Sequence, residues 1–329
     1  VIGFPRKPSW PAITFLRITT IVAVLAPTTP AAAAAPEVVL EPTGDLQAAP
    51  HGEGNIYAPE ILFHDGLYQM WYGAQGRDGH DRILLAESPD GVSWKTNGVA
   101  LDHGSANHVN DPSVVKAGDT FFMLYTRAQV DVRDEIALAT STDGVTWEEQ
   151  GTVFGPGGEG AWDSLLVGRP SVLHEHGRFR MWYDGRRDLP IGAPAEGVPK
   201  SDRSVRAVGY AESTDGLIWS RPRAEPVFGA DAGGVHVVRI GDTLVMTSES
   251  REGTRVATSN DGLEWRDRGL LAGLSGGDID RFGHVTPFLL AEPSGVTLFS
   301  GAARSPNWDR NVIVRIPLTR QDRERFEGR

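Results

Sequence analysis

The sequence predicts an all-β chain, a five-bladed β-propeller, and three observations carry that prediction. First, nearly the same seven letters occur four times: Ser88-Pro-Asp-Gly-Val-Ser-Trp94, Ser141-Thr-Asp-Gly-Val-Thr-Trp147, Ser213-Thr-Asp-Gly-Leu-Ile-Trp219 and Ser259-Asn-Asp-Gly-Leu-Glu-Trp265. A repeat of this period marks an array of like sheets. Second, Pro59, Pro112, Pro170 and Val235 each stand eleven residues before Met70, Met123, Met181 and Met246. The four methionines of the chain therefore share one position in the repeat. Third, a fifth unit without the Asp-Gly ending follows: Thr286-Pro-Phe-Leu-Leu, a turn at Pro293-Ser-Gly295, Val296 to Ser300, then Asn311 to Ile316.

Taken in order, the first 35 residues carry Arg6, Lys7 and Arg17 and no acid, with an apolar run over Thr14 to Leu25 and small residues from Ala31 to Ala35. This reads as a secretory signal peptide cleaved near Ala35, with an uncleaved anchor as the alternative. The run is too short and too interrupted by proline to span a bilayer. Its removal takes the net charge from −11 to −14, since three cations leave. Nucleic acid and anionic membrane are thereby disfavoured as partners. There is no cysteine, which excludes disulfides, thiol catalysis and zinc thiolates.

Blade one reads as Ala58 to Phe63, a turn at His64-Asp-Gly66, Leu67 to Tyr72, Arg82 to Ser88, and the Asp-Gly turn: four short strands joined by turn signals. Asp and Gly tolerate the positive φ of tight turns. Asp90, Asp143, Asp215 and Asp261 are therefore turn residues, on the face opposite the working mouth. The Asp-Gly spacings are 53, 72 and 46 residues, and the long one reflects a loop from Gly185 to Arg206. Glu37 to Glu41 supplies the outer strand that blade five lacks, pairing the two ends of the chain and removing an open edge. The domain plan is a signal peptide over 1–35, a propeller over 36–318, and a charged, frayed tail over 319–329.

In a propeller the innermost strands line a central channel. Side chains alternate along a strand with period two. Stacking the five inner strands on that basis brings Glu60, Asp111, Arg169, His236 and His284 together at one opening. Asp184 and Glu249 end second strands at the same rim, with Arg186 just beyond Asp184, and Asn110, Trp162 and Asp163 border it. Trp71 and Trp182 lie on second strands and read as core. Gathering so many ionisable groups on separate strands is costly unless they act.

The repeats Ser-x-Asp-Gly-x-x-Trp, the Asp111-Pro112 opening, the Met-Trp-Tyr second strands (Met70 to Tyr72, Met181 to Tyr183) and Trp162-Asp163 resemble the five-bladed propeller glycosidases. That superfamily includes arabinanases, β-xylosidases, arabinofuranosidases, invertases and levansucrases. The resemblance covers about residues 37 to 318. It implies three carboxylates at the starts of the inner strands of blades one to three. Asp111 carries over; Ala58 and Arg169 stand where the other two would be. Glu60 is the expected replacement for the first carboxylate, and Asp163, Asp184 or Glu249 for the acid.

Arg169 is expected to keep Asp111 ionised, as a base or stabiliser, and Glu249 to be the protonated acid. Arg169, His236, His284, Asp163, Asp184, Asn110, Trp162 and Arg186 are the expected substrate contacts. The expected protein is a secreted monomer that hydrolyses a furanoside or polysaccharide. A non-catalytic carbohydrate-binding propeller is the alternative, and a sialidase-like propeller a third reading. No cofactor is implied, although a structural or channel ion such as Ca²⁺ is compatible; the sequence has no dense oxygen-ligand motif for it.

Overall fold

The computed structural model describes residues 34–43, 55–129, 133–193, 195–229 and 231–327. The segment read as a signal peptide lies, through residue 33, outside the described residues.

Five antiparallel sheets follow one another along the chain. Blade one is built from Ile56–His64, Leu67–Gln75, Asp81–Ser88 and Lys95–Leu101, in that order. Blade two repeats the plan with His108–Ala117, Thr120–Ala128, Asp134–Ser141 and Glu148–Phe154. Blade four repeats it with His236–Ile240, Thr243–Ser248, Gly253–Ser259 and Arg266–Gly273. Blade five has His284–Glu292, Gly295–Ala303 and Asn311–Pro317. Its outer strand is Glu37–Leu40, paired antiparallel with Asn311–Pro317. Leu40, Ile56, Phe288 and Ile313 share one apolar cluster, which joins blade five to blade one.

Blade three departs from the plan. It has three strands, Leu166–Glu175, Arg178–Arg186 and Ala207–Ser213. Where a fourth strand would run, only single bridges form, Glu212 to Ser220 and Val208 to Phe228. Pro222 and Pro226 lie in that stretch, and proline cannot donate to a ladder. The long loop carries a short parallel ladder of its own, Leu189–Pro190 beside Lys200–Ser201.

The Asp-Gly turns are four copies of one hydrogen-bonded device. In the first, Asp90 Oδ1 accepts from the N–H groups of Val92 and Ser93 and from the Ser88 hydroxyl. Ser88 Oγ accepts in turn from the Gly91 N–H. The glycine has φ +70°, and its carbonyl accepts from Trp94 Nε1. Two of these turns also lock neighbouring blades. The Gly144 carbonyl of blade two accepts from Trp71 of blade one at 3.0 Å, and the Gly262 carbonyl of blade four from Trp182 of blade three at 2.8 Å. Both indoles are fully buried. The turn aspartates and these tryptophans are thus architectural, as their sequence positions imply.

The tail, expected to fray, is docked. Thr319 caps the short helix Arg320–Arg323 in a capping box with Asp322. Phe326 is buried among Leu271, Val296 and Leu318, and Arg325 Nη1 donates to the Leu270 carbonyl. One buried phenylalanine outweighs the charge of its neighbours.

Trp71→Phe removes a buried donor and part of the volume it fills. It should lower unfolding free energy by roughly 1–3 kcal/mol in denaturant titration. Trp94→Phe, whose indole nitrogen bonds only within its own turn and which is partly exposed, should cost less.

Candidate functional site

The site begins with a backbone feature. Ala58, Asp111, Arg169, Gly234 and Thr286 occupy equivalent positions on the five inner strands, and all five have positive φ, from +42° to +55°. The four that are not glycine each precede proline, which bars the residue before it from right-handed helical geometry. Gly234 precedes Val235 and reaches the same conformation freely. Each non-glycine residue held there costs roughly 1–3 kcal/mol. In blades one, two, three and five the pairing register slips across this point, as in a β-bulge.

The previous blade fixes three of these kinks. The Arg169 N–H donates to Thr126 Oγ1 at 2.7 Å. The Gly234 N–H donates to both oxygens of Asp184, at 3.1 and 3.0 Å, and the Thr286 N–H to Glu249 Oε2 at 3.2 Å. Thr126, Asp184 and Glu249 are the equivalent ends of second strands. One side-chain position in three blades therefore grips the next blade's kink.

The kink also breaks period two, so Glu60 does not share the face of Ala58. Glu60 turns toward blade two, where its Oε1 accepts from the Val114 N–H at 3.0 Å and the Ser113 hydroxyl at 3.4 Å. The same position does the same work around the ring. Ser113 Oγ accepts from the Val172 N–H, Ser171 Oγ from the Val237 N–H, and His236 Nδ1 from the Leu289 N–H. Burial pushes Glu60 up to about 8 and His236 down to about 3. Both are neutral at pH 7. They line a cavity of about 20 Å³ below the mouth, among Pro59, Pro112, Pro170 and Pro287.

Three more expected contacts are turned away. Along Arg178–Arg186, Asp184 and Arg186 face the mouth, while Tyr183 and Gly185 face the other side. Trp162 and Asp163 cover that other side. Trp162 stacks on Tyr183, Asp163 Oδ2 accepts from the Tyr183 hydroxyl and from Arg221 Nε, and a Cβ on Gly185 would lie 2.7 Å from the Trp162 ring. His284 is fully buried between Thr254 Oγ1 at 2.9 Å and Asp280 Oδ2 at 3.3 Å, pinning its own loop.

The structure does bring Asn110, Asp111, Arg169, Asp184, Arg186 and Glu249 together, in a mouth of about 980 Å³. Arg169 is its hub. Its Nη1 lies 3.3 Å from Asp184 Oδ2, and its Nε 3.7 Å from Asp111 Oδ2, a contact too long for a hydrogen bond. Arg206 contacts Asp184 at 3.8 Å and hydrogen-bonds Glu249 Oε1. The other wall carries a second group. Asp81 Oδ2 accepts from the Tyr57 hydroxyl at 2.7 Å and from Asn110 Nδ2 at 3.1 Å, and His108 Nε2 lies 3.6 Å from Asp134 Oδ1.

Asp81, Asp134 and Arg206 were not anticipated from the sequence. Each stands nine residues before the aspartate of its Asp-Gly turn, opening its blade's third strand. The same register that aligned the methionines contains that signal.

The carboxyl groups are poised differently. Burial pushes Asp111 up to about 7; Arg169 pulls against the rise, while the charges of Glu249, Asp134 and Asp184 add to it. Glu249 goes the other way. Burial would raise it, but Arg206 and Arg169 hold it below the usual carboxylate range. The expected protonation states are therefore reversed, because Arg169 is shared among several acids and only grazes Asp111. Burial also outweighs the pull of Arg169 and Arg206 on Asp184 and moves it up. For His108, burial opposes the charge, and Asp134, Asp81 and Asp111 outweigh it.

Eight buried side-chain polar atoms lack a hydrogen-bond partner among the described residues, and six of them belong to mouth residues. They are Asp81 Oδ1, Asn110 Oδ1, Asp111 Oδ1, Asp134 Oδ1, Thr286 Oγ1 and Asn311 Oδ1. Native interiors leave few such atoms, and here they are concentrated at the mouth. Among the described residues, no group of three or more His, Asp or Glu is arranged to hold a metal ion.

No family model matches the chain. Its fold is that of the five-bladed propeller glycoside hydrolases. A solved glycoside hydrolase superposes with a TM-score of 0.71 at 18% identity, covering 87% of this chain and 91% of the other. A thermostable family-43 glycoside hydrolase superposes at 0.59 with 17% identity, covering 80% and 88%. A curated relative, the A type blood N-acetyl-α-D-galactosamine deacetylase of Flavonifractor plautii, is 25% identical over 202 residues, which is 49% of this chain. The match spans 25% of that relative's length.

Glu60 supplies a stability test. Its folded pKa is above its unfolded value, so the stability it lends is complete below about pH 4.5 and is lost as pH rises through about 8. Glu60→Gln keeps the acceptor and cannot ionise. Denaturant titration from pH 5 to 9 should show the variant gaining stability relative to the parent as pH rises.

Proposed function

We propose that the mouth is the active site of a glycoside hydrolase, with Asp111 as general acid and Asp81 as the second carboxylate. The observation that carries this reading is Asp111 itself: a buried carboxyl, lifted to about 7, with one oxygen unpartnered and facing the mouth. Glycosidic cleavage needs one carboxyl that holds a proton for the leaving oxygen and another that attacks or activates water. Asp81 suits the second role. Tyr57 and Asn110 fix its Oδ2 and leave Oδ1 open.

Glu249 and Asp184 are occupied by backbone N–H groups and guanidiniums. In this reading they position Arg169 and Arg206. The positive charge of Arg169 beside Asp111 then stabilises the carboxylate that forms as the proton leaves. Ala58, where the resembled family has a carboxylate, leaves that role to Asp81 on the same blade.

A second reading keeps a sugar in the mouth and changes the bond to an acyl amide. The curated relative, a sugar deacetylase, supports it. A third, binding without turnover, predicts affinity and no product. Export of the chain belongs to the proposal too, supported by the basic, apolar and small-residue order of residues 1–35. A mature N-terminus near Pro36 on protein recovered outside the cell would establish it.

The test of function is a panel of aryl furanosides and pyranosides, with acetate release from N-acetylated sugars measured in parallel. Asp111→Asn should lower kcat by about 10²–10⁴ and leave the fold intact. Parent kcat should fall as pH rises past about 7, where Asp111 loses the proton it donates. Turnover undiminished in Asp111→Asn would refute the assignment. Acetate release without aryl cleavage would favour the second reading.

A further inference from the structure

The mouth has two electrically different walls. The carboxylates with an oxygen that accepts no hydrogen bond, Asp81, Asp111 and Asp134, belong to blades one and two, although Asp134 Oδ1 lies 3.6 Å from His108 Nε2. The guanidiniums of Arg169, Arg186 and Arg206 come from blade three, and those of Arg251 and Arg255, from blade four, also line the mouth but are held by the Pro306 carbonyl and Asp267. Two of the blade-three guanidiniums are committed, Arg169 to Asp111 and Asp184, and Arg206 to Asp184 and Glu249. Arg186 is not. It is half-buried in the mouth and makes no side-chain hydrogen bond or ion pair with any described residue.

Among the described residues, no acid stands within ion-pair distance of Arg186. Asp184, two residues earlier on the same face, holds the Gly234 N–H and the two other guanidiniums. Asp231 Oδ1 accepts from the Arg206 N–H, and Glu249 is held by Arg206 and the Thr286 N–H. Burial and the like charges of Arg206 and Arg169 work against the Arg186 cation and outweigh the opposing pull of Asp231 and Asp184. A partly desolvated cation without a partner is unfavourable until an anion reaches it.

The backbone of Arg186 is held in place. Its carbonyl accepts from the Leu165 N–H at 3.0 Å, and the strand before it is clamped by Trp162 against Gly185. A guanidinium so placed presents a planar fork that matches a carboxylate in two parallel hydrogen bonds. The other arginines one might group with it are engaged elsewhere. Arg127 pairs with Glu135, Arg304 with Glu41, and Arg251 lies over Trp308 and donates to the Pro306 carbonyl.

We propose that Arg186 recognises an anionic substituent, and that the sugar entering the mouth carries a carboxylate. The inference rests on the reading of the mouth as a sugar site and names the class of sugar. The charge asymmetry sets the orientation. The carboxylate goes to the wall of blade three and the scissile oxygen to Asp111. A neutral sugar leaves Arg186 unmatched.

The test is binding, measured by calorimetry on Asp111→Asn so that nothing is turned over. The probes are the 4-nitrophenyl glucuronide and galacturonide, their neutral glucoside and galactoside, and inorganic phosphate. At least one uronide should bind about tenfold or more tighter than its neutral counterpart, as a charge-assisted pair implies. Arg186→Gln should abolish that preference. Arg186→Lys, which keeps the charge and loses the fork, should restore only part of it. Thermal melts check that each variant is folded.

No uronide preference in any pair, or a preference that survives Arg186→Gln, overturns the proposal. Phosphate binding that depends on Arg186 without a uronide preference overturns it too, because the anion is then a separate ligand. A uronide preference without turnover by the parent protein keeps the subsite and sinks the hydrolase reading. Turnover of neutral glycosides without the preference does the reverse.

Discussion

The left-handed kink at the mouth of each inner strand is the constraint on which the rest of this structure depends. It costs backbone energy at four non-glycine positions, and the fold offsets that cost from outside the strand. Side chains ending the second strands of blades two, three and four reach across and bind the next kink's N–H. One layer lower, Glu60, Ser113, Ser171 and His236 bind N–H groups of the next inner strand. These two tiers tie blade to blade along the axis, as Trp71 and Trp182 do at the turns below. Because the kink adds a residue to the strand, it also decides which side chains look into the mouth.

That geometry makes the electrostatics unusual. Asp184 and Glu249 cannot be treated as free acids, since the backbone of the neighbouring blade already claims them. They carry Arg169 and Arg206 as counter-charges and so bring positive charge to a buried place. Asp111 sits at the edge of this network, close enough to feel it and too far to hydrogen-bond it. Burial therefore governs Asp111, and it keeps a proton near neutrality that Glu249 gives up. Ala58 and Arg169 depart from the pattern of the propeller glycosidases that the sequence resembles, yet the mouth still gathers acids through the third-strand residues Asp81 and Asp134.

Much of this was legible in the letters. The Ser-x-Asp-Gly-x-x-Trp repeat and the register of the methionines gave the blade count, the turn positions and the outer strand from the N-terminal side. The same register placed Asp111, Arg169, Asp184, Arg186 and Glu249 at one rim. Glu60 does line the channel with Asp111, Arg169 and His236, but in a small cavity below the mouth, because the kink breaks strict alternation and nothing in Ala58-Pro59 announces a positive φ. Trp162 and Asp163 were misplaced because sequence proximity to an inner strand does not say which face of the second strand a loop covers. Asp81 and Asp134 were overlooked although the repeat aligns them, since only inner and second strands were stacked. The protonation order of Asp111 and Glu249 was beyond the sequence, because it turns on which acid Arg206 hydrogen-bonds and how closely Arg169 approaches Asp111.

Asp111, buried and only partly compensated by Arg169, holds a proton near neutral pH. Carboxyl ¹³C chemical shifts of labelled aspartate, with Asp111 assigned by its loss in Asp111→Asn, measure this directly across a pH titration. A midpoint near 7 is the result this structure predicts. A midpoint near 4, the ordinary value for aspartate, would mean that Arg169 compensates the charge fully and that the acid of the mouth lies elsewhere.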